Sequence, residues 1–168
     1  QVQVSASALK FGMRELNSLD VTVDGRASAH QVSVKADAEE ASLSLRVDSG
    51  YADENLSGTV NKFDLNLGDA HLRLASPTRF AASREQAELD QLCLNGAVER
   101  TCAQGEWRRA GPWKVALEAS GLPLKILGAG LPRQSQYSGV LSLHAKASAD
   151  AGKRWIGEAQ AALADGVA

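Results

Sequence analysis

The sequence predicts an antiparallel, all-β chain, and three observations carry that prediction. Apolar and polar residues alternate with a period of two almost throughout, the mark of strands with one wet face. Turn-forming residues punctuate the alternation at intervals of about 8 to 12 residues. Aromatic residues make up only 5% of the 168 positions, while Ala, Val, Leu, Ser and Gly dominate. The apolar faces are therefore built from small and medium aliphatic groups, which bury less area per residue than an ordinary core. A sheet of this kind must close as a barrel, pack as a sandwich, or curl into an open groove.

The elements follow in order. Val2, Val4, Ala6 and Ala8 alternate with Gln1, Gln3, Ser5 and Ser7, and Leu19, Val21 and Val23 run up to an Asp24-Gly25 turn. Val32, Val34, Ala36 and Ala38 face one way against Ser33, Lys35 and Asp37. Leu43, Leu45 and Val47 repeat the pattern, with Asp48-Ser49-Gly50 expected to close that strand. Phe63, Leu65 and Leu67 lead through Gly68-Asp69 to Leu72 and Leu74, where Pro77 ends the run because it cannot donate to a ladder. Ala81 to Leu89 holds helix formers, but it is short and flanked by strand patterns, so it reads as strand or loop.

The stretch Leu92 to Trp107 holds both cysteines of the chain. If Cys93 and Cys102 face each other on antiparallel strands, the polar run Asn95 to Arg100 becomes the loop and the hairpin is stapled at its base. A rival register makes Asn95-Gly96 a type I′ turn, which sets Val98 opposite Cys93 and leaves both thiols unpaired. A third reading makes them buried apolar thiols in a reducing compartment. The staple is the expectation adopted, and it requires an oxidising compartment. Zinc is disfavoured, because there is no Cys-x-x-Cys pair and His30, His71 and His144 lie far away in sequence.

After this hairpin, Trp113, Val115, Leu117 and Ala119 alternate with Lys114, Ala116 and Glu118. Gly121 to Gly128 breaks the pattern with Leu122, Leu124, Ile126 and Leu127, and a short helix is expected near 122–128. Two last strands carry Leu141, Leu143, Ala145 and Ala147, then Trp155 to Leu163, separated by Asp150-Ala151-Gly152. The whole amounts to about ten or eleven strands.

The charges nearly cancel, 18 basic against 20 acidic residues, which leaves no electrostatic footprint for nucleic acid or an anionic membrane. No apolar run approaches the ~20 residues that span a bilayer. The start at Gln1-Val2-Gln3-Val4, already alternating and without an initiator Met, reads as a piece of a longer protein. No catalytic constellation is visible: His71 and His144 alternate onto the polar face, Glu39-Glu40 and Asp53-Glu54 fall at turns, and the glycines occur singly. No enzyme activity, metal or cofactor is expected. Trp107, Trp113 and Trp155 read as strand-end or core anchors, with a ligand surface as the sharper alternative. Inward alanines such as Ala36, Ala119, Ala145 and Ala147 leave volume for facing sheets or for acyl chains to fill.

Several segments together resemble a known family. Leu92-Cys93-Leu94, Cys102-x-x-Gly105-x-Trp107, Gly121-Leu122-Pro123-Leu124, Tyr137 to Leu143, and upstream Leu56 to Val60 with Leu72 to Pro77 resemble the recurring pattern of TamB proteins (the DUF490 domain, within the AsmA-like group). The likeness is clearest over residues 56 to 166. It implies an antiparallel sheet curled into a taco-like groove with a hydrophobic interior, here a single segment over residues 1–168. Val32, Val34, Leu43, Leu45, Leu65, Leu67, Val115, Leu117, Leu141 and Leu143 are then the expected groove lining. The resemblance further implies a periplasmic location and an inner-membrane anchor outside this stretch. It implies a TamA-like outer-membrane barrel as partner, phospholipid passage between the membranes, and support of autotransporter and outer-membrane protein assembly. The alternatives are a scaffold that pairs with nascent outer-membrane β-strands, and a closed structural β-sandwich.

Overall fold

The computed structural model describes residues 1–11, 14–68, 70–124, 138–150 and 154–167. These residues form twelve strands in one antiparallel sheet. The strands are β1 (Val2–Phe11), β2 (Arg14–Arg26), β3 (Ala29–Ala38), β4 (Ala41–Ala52), β5 (Asn55–Leu67), β6 (Ala70–Leu74), β7 (Thr78–Ala82), β8 (Gln86–Asn95), β9 (Arg100–Arg108), β10 (Trp113–Pro123), β11 (Ser138–Ala149) and β12 (Trp155–Val167). The topology is a meander in which each strand pairs with its predecessor, except where β6 and β7 share one row between β5 and β8. β6 lies along the second half of β5, from Asp64↔Arg73 to Leu67↔Ala70, and β7 along its first half, from Leu56↔Ala82 to Val60↔Thr78.

Pro77 explains that broken row, since it lacks the N–H that a central strand must donate. The chain bridges the gap locally. The Ala75 N–H donates to the Cys93 carbonyl at 2.8 Å. Thr78, only 2% exposed, donates its hydroxyl towards the carbonyls of Ser76 (3.2 Å) and Gln91 (3.4 Å). The segment from Ala81 to Leu89 is a strand hairpin, closed by the Ser83 N–H donating to the Gln86 carbonyl at 2.7 Å.

One expected turn moves. Asp48-Ser49-Gly50 does not end β4, which continues to Ala52. The reason is Gly50: the Ser28 carbonyl occupies the space a Cβ would need there, and the Tyr51 N–H donates to the Ala27 carbonyl at 2.7 Å. The β2–β3 turn thus folds against β4 and keeps its end extended. The reversal falls instead at Asp53 and Glu54, both at positive φ (50° and 61°). The expected helix near 122–128 concerns, from residue 125 on, residues outside the described ones, while Leu122 and Pro123 end β10.

Register holds the two faces apart. Val4, Val21, Val34, Leu45 and Phe63 stand in one cross-strand row, and Ser5, Asp20, Lys35, Ser44, Asp64 and Arg73 in the adjacent one. A slip of one residue would exchange the faces, so each irregularity must restore the phase. The bulge opposite Arg46 and Val47 shows how. It leaves Asn61 unpaired, and the Asn61 amide donates to Asp48 at 2.7 Å beside Gln31 at 2.8 Å.

Among the described residues no second layer packs on the apolar face. The substantial contacts between elements all join strands adjacent in the sheet, and among the described residues no large side chain is fully buried. The buried apolar residues are Ala70, Leu72, Cys93, Cys102, Ala119 and Ala149. A sandwich is therefore not the architecture of the described residues. Neither is a closed barrel, since β1 and β12 are the free edges of the sheet. The sheet curls, bringing strands from β7 to β12 around one cavity on the apolar side. At ~4.8 Å per strand it is on the order of 50 Å across.

Cys93 and Cys102 are directly paired across β8 and β9 and disulfide-bonded, with Cα atoms 4.1 Å apart. Asn95↔Arg100 is the last pair of the hairpin, so the loop is Gly96 to Glu99, one residue shorter at each end than expected. The Gly96 N–H donates to the Glu99 carbonyl at 2.7 Å. The type I′ register at Asn95-Gly96 is excluded by this pairing. The disulfide lies in the polar row of Glu118, His144 and Gln160, outside the groove.

Candidate functional site

The candidate site is the cavity on the concave, apolar face, about 920 Å³ in volume. Two cross-strand rows make its floor. One runs Leu89, Gly105, Val115, Ala147, Gly157, and the next Ala103, Leu117, Ala145, Ala159. Gly and Ala at these positions remove the side-chain volume that would otherwise fill the curve. Depth comes from residues too small to close it.

Phe80 supplies a wall. It stands opposite Gly58 on β5, where a Cβ on Gly58 would come within 2.8 Å of the Phe80 ring. The aromatic thus covers a glycine across the strand pair, a device that stabilises such glycines in sheets. Val115 and Leu117 remain 50% and 38% exposed although both point into the concavity. Those exposures distinguish an open binding face from a core.

The tryptophans mark one rim. Trp107 lies opposite Ala87, Trp113 opposite Ala149, and Ala149 opposite Trp155. All three indoles therefore fall at the ends of neighbouring strands on the groove side of one lip. Trp107 and Trp155 line the cavity, and Trp155 is 71% exposed. Strand-end placement holds for this pair, and both indoles face the cavity.

Register puts the lining residues read from sequence on one face. Val32, Val34, Leu43, Leu45, Leu65 and Leu67 share rows across β3 to β5. Val115 and Leu117 belong to the large cavity, while Leu143 opposite Ala119 and Leu141 opposite Leu122 continue the same face towards the far lip. The sequence reading missed Phe80, Leu89, Gly105 and Gly157. Leu89 sits in a stretch with no clear period, and a single glycine in a strand, as at Gly105 and Gly157, is the signal of close backbone approach that could have pointed to them.

The ion pairs join residues of the polar rows, although Glu106, like Glu88, Lys146 and Glu158, is also among the residues lining the cavity. Asp64 pairs with His71 at 2.7 Å and Arg73 at 3.5 Å, Glu118 with His144 at 3.5 Å, and Glu106 with Lys114 at 3.2 Å, all in polar rows. Among the described residues no cluster of three or more His, Cys, Asp and Glu is placed to hold a metal ion. No helix among them is long and apolar enough to cross a membrane. What the arrangement can do is solvate an elongated apolar ligand along a curved wall.

Fold and site together define an open, single-layer β-groove protein. The family model of the TamB N-terminal domain matches residues 1–167, and the chain belongs to the TamB family. The match takes in residues 1 to 55 as well as the stretch from 56 on, where the sequence resemblance is clearest. No curated protein and no solved structure matches the chain.

Proposed function

We propose that this chain is a segment of a periplasmic, bridge-like β-groove that shields phospholipid acyl chains in transit between the inner and outer membranes. The observation that carries this reading is an apolar concave face on which no second layer packs among the described residues, opened into a cavity of about 920 Å³. That volume lies in the upper part of the ~300–1,000 Å³ range of ligand pockets, and its length along the strand rows suits chains rather than a compact ligand. Headgroups would stay at the open mouth. An inner-membrane anchor outside this stretch, a TamA-like barrel as outer-membrane partner, and support of outer-membrane protein assembly belong to the same proposal through family membership.

The test is native mass spectrometry, with lipid extraction, of the chain purified in mild detergent and then freed of it. Co-purifying phospholipid that is lost in Val115→Asp and Leu143→Asp is the expected result. A lipid-free, monodisperse chain would overturn the reading.

A second reading rests on the free edges. β1 and β12 each leave one side unpaired, and β12 runs for 13 residues. Such edges accept further strands, as a scaffold for nascent outer-membrane β-strands would. A proline within β12 would impair that pairing and leave lipid content unchanged, the reverse of Val115→Asp.

A further inference from the structure

The cavity has two ends along the sheet, and one cross-strand row distinguishes them. Partners across a ladder share a face, so the row Gly157, Ala147, Val115, Gly105, Leu89 and Phe80 runs unbroken over the concave side from β12 to β7. All six residues line the cavity, and each is apolar or glycine. Past Phe80 the same row continues through Gly58 to Ser49 and His30, and its chemistry changes. Ser49 Oγ and His30 Nε2 are hydrogen-bonded at 2.9 Å, and His30 Nδ1 lies 3.3 Å from the Arg26 carbonyl. The apolar run therefore ends at the Phe80 ring, which lies over Gly58, with a polar pair beyond it.

The β12 end is built differently. A Cβ on Gly25, Gly50 or Gly58 would run into the carbonyl oxygen of Ala29, Ser28 or Asp48, so the backbone imposes those glycines. Gly157 has no positive φ, and a Cβ there would meet its nearest neighbours at 3.5 to 3.7 Å, an ordinary contact. Glycine weakens a strand interior, and at this position no backbone contact requires it. What the missing side chain leaves is space in the groove floor. Cζ3 of Trp155, 3.7 Å from that Cβ position, leans over the space, and Trp155 is 71% exposed. An indole, apolar in body with one N–H donor, suits the boundary between an acyl chain and its ester.

The distance between these ends has a chemical scale. The five steps from β12 to β7 through β11, β10, β9 and β8 span on the order of 24 Å at ~4.8 Å each. A staggered chain of ~1.5 Å carbon–carbon bonds advances ~1.25 Å per carbon, so the run holds about 18 to 20 carbons.

We propose that the cavity is a length-limited acyl site: a phospholipid chain lies along this row with its ester end at Trp155 and Gly157 and its methyl end against Phe80, which excludes chains longer than about 18 to 20 carbons. The proposal rests on the groove reading above. Methylenes past the stop leave the apolar wall, because the ring blocks the row and the Ser49–His30 pair beyond it offers polar groups. Removing the ring opens only the step over Gly58, room for about four more carbons.

The lipid-freed chain is loaded from vesicles holding equal amounts of monounsaturated phosphatidylglycerols with chains of fourteen, eighteen and twenty-two carbons. It is then re-isolated and its bound lipid counted by native mass spectrometry. A single headgroup leaves chain length as the variable. The two shorter lipids are expected in the vesicle ratio and the longest depleted by about tenfold or more, since each methylene kept off the wall costs up to about fourfold. Phe80→Ala is expected to restore the longest lipid to the vesicle ratio. Gly157→Val, placed where the backbone accepts a side chain, is expected to deplete the eighteen-carbon lipid against the fourteen-carbon one, and it tests the proposal even if Phe80→Ala fails to fold. Three results would each overturn the length limit and leave the groove reading standing: wild-type chain carrying all three lipids in the vesicle ratio, folded Phe80→Ala chain that still excludes the longest, or Gly157→Val chain with the wild-type profile. Lipid-free wild-type chain would remove both.

Discussion

At the scale of residues, small side chains decide both where the groove is deep and where the backbone can close up. Gly121 sits at φ +69°, and a Cβ there would lie 2.5 Å from the Val98 carbonyl oxygen. Gly68 has a similar φ of +58° with nothing within 4 Å of the same position. Both glycines spare the chain left-handed strain, which costs about 1 kcal/mol in a residue with a side chain. Gly121→Ala is therefore expected to destabilise by about 1 kcal/mol more than Gly68→Ala, because the β8–β9 loop must also move; urea denaturation of the two variants checks it. Val115 poses the opposite case. At 50% exposure its replacement by Asp keeps the new carboxylate hydrated, so Val115→Asp is expected to cost only about 1 kcal/mol, the span of strand propensities. A thermal melt close to wild type, alongside lost lipid binding, separates a lining role from a core role.

At the scale of elements, the β8–β9 hairpin is the stapled unit of the sheet, and its disulfide stands on the polar side. It closes a short loop, with the cysteines separated by 9 positions. Removing such a link releases the unfolded chain, and Cys93→Ala/Cys102→Ala is expected to lower stability by about 2 to 3 kcal/mol. Lipid content of the folded double variant is expected to be unchanged, since neither sulfur faces the groove. Both cysteines are buried, at 8% and 5% exposure. Reduction by dithiothreitol under native conditions should therefore be much slower than in denaturant, as followed by thiol labelling. Rapid native reduction would mean that the hairpin opens locally without global unfolding.

At the scale of the whole molecule, stability comes from hydrogen-bonded neighbours along one layer, while the apolar face waits for an occupant. Closed domains gain heat capacity on unfolding at about 12–15 cal/mol/K per residue, chiefly by exposing apolar surface. A sheet whose face is already exposed has less to uncover. The lipid-free chain is expected to fall clearly below that range by differential scanning calorimetry, and phospholipid is expected to raise its melting temperature by mass action. A heat capacity within the usual range would mean that the apolar face is covered in solution.

The alternation that makes this an all-β chain is written into the order of residues, because a strand's side chains obey a period of two whatever lies beside them. So is the strand break at Pro77, which follows from a missing N–H, whereas the sequence offered facing cysteines as one of three readings and the pairing of β8 with β9 decided among them. The tertiary structure alone decided which rows meet. Trp107, Trp113 and Trp155 reach one lip through pairings set by turn lengths and bulges at Leu89/Leu92 and Ala119/Leu122, and no local period encodes that convergence. The same holds for Gly105 and Gly157, which become a groove floor only when the sheet curls. Curl and register are properties of neighbours distant in sequence. Local chemistry specified the strands, and their assembly specified the site.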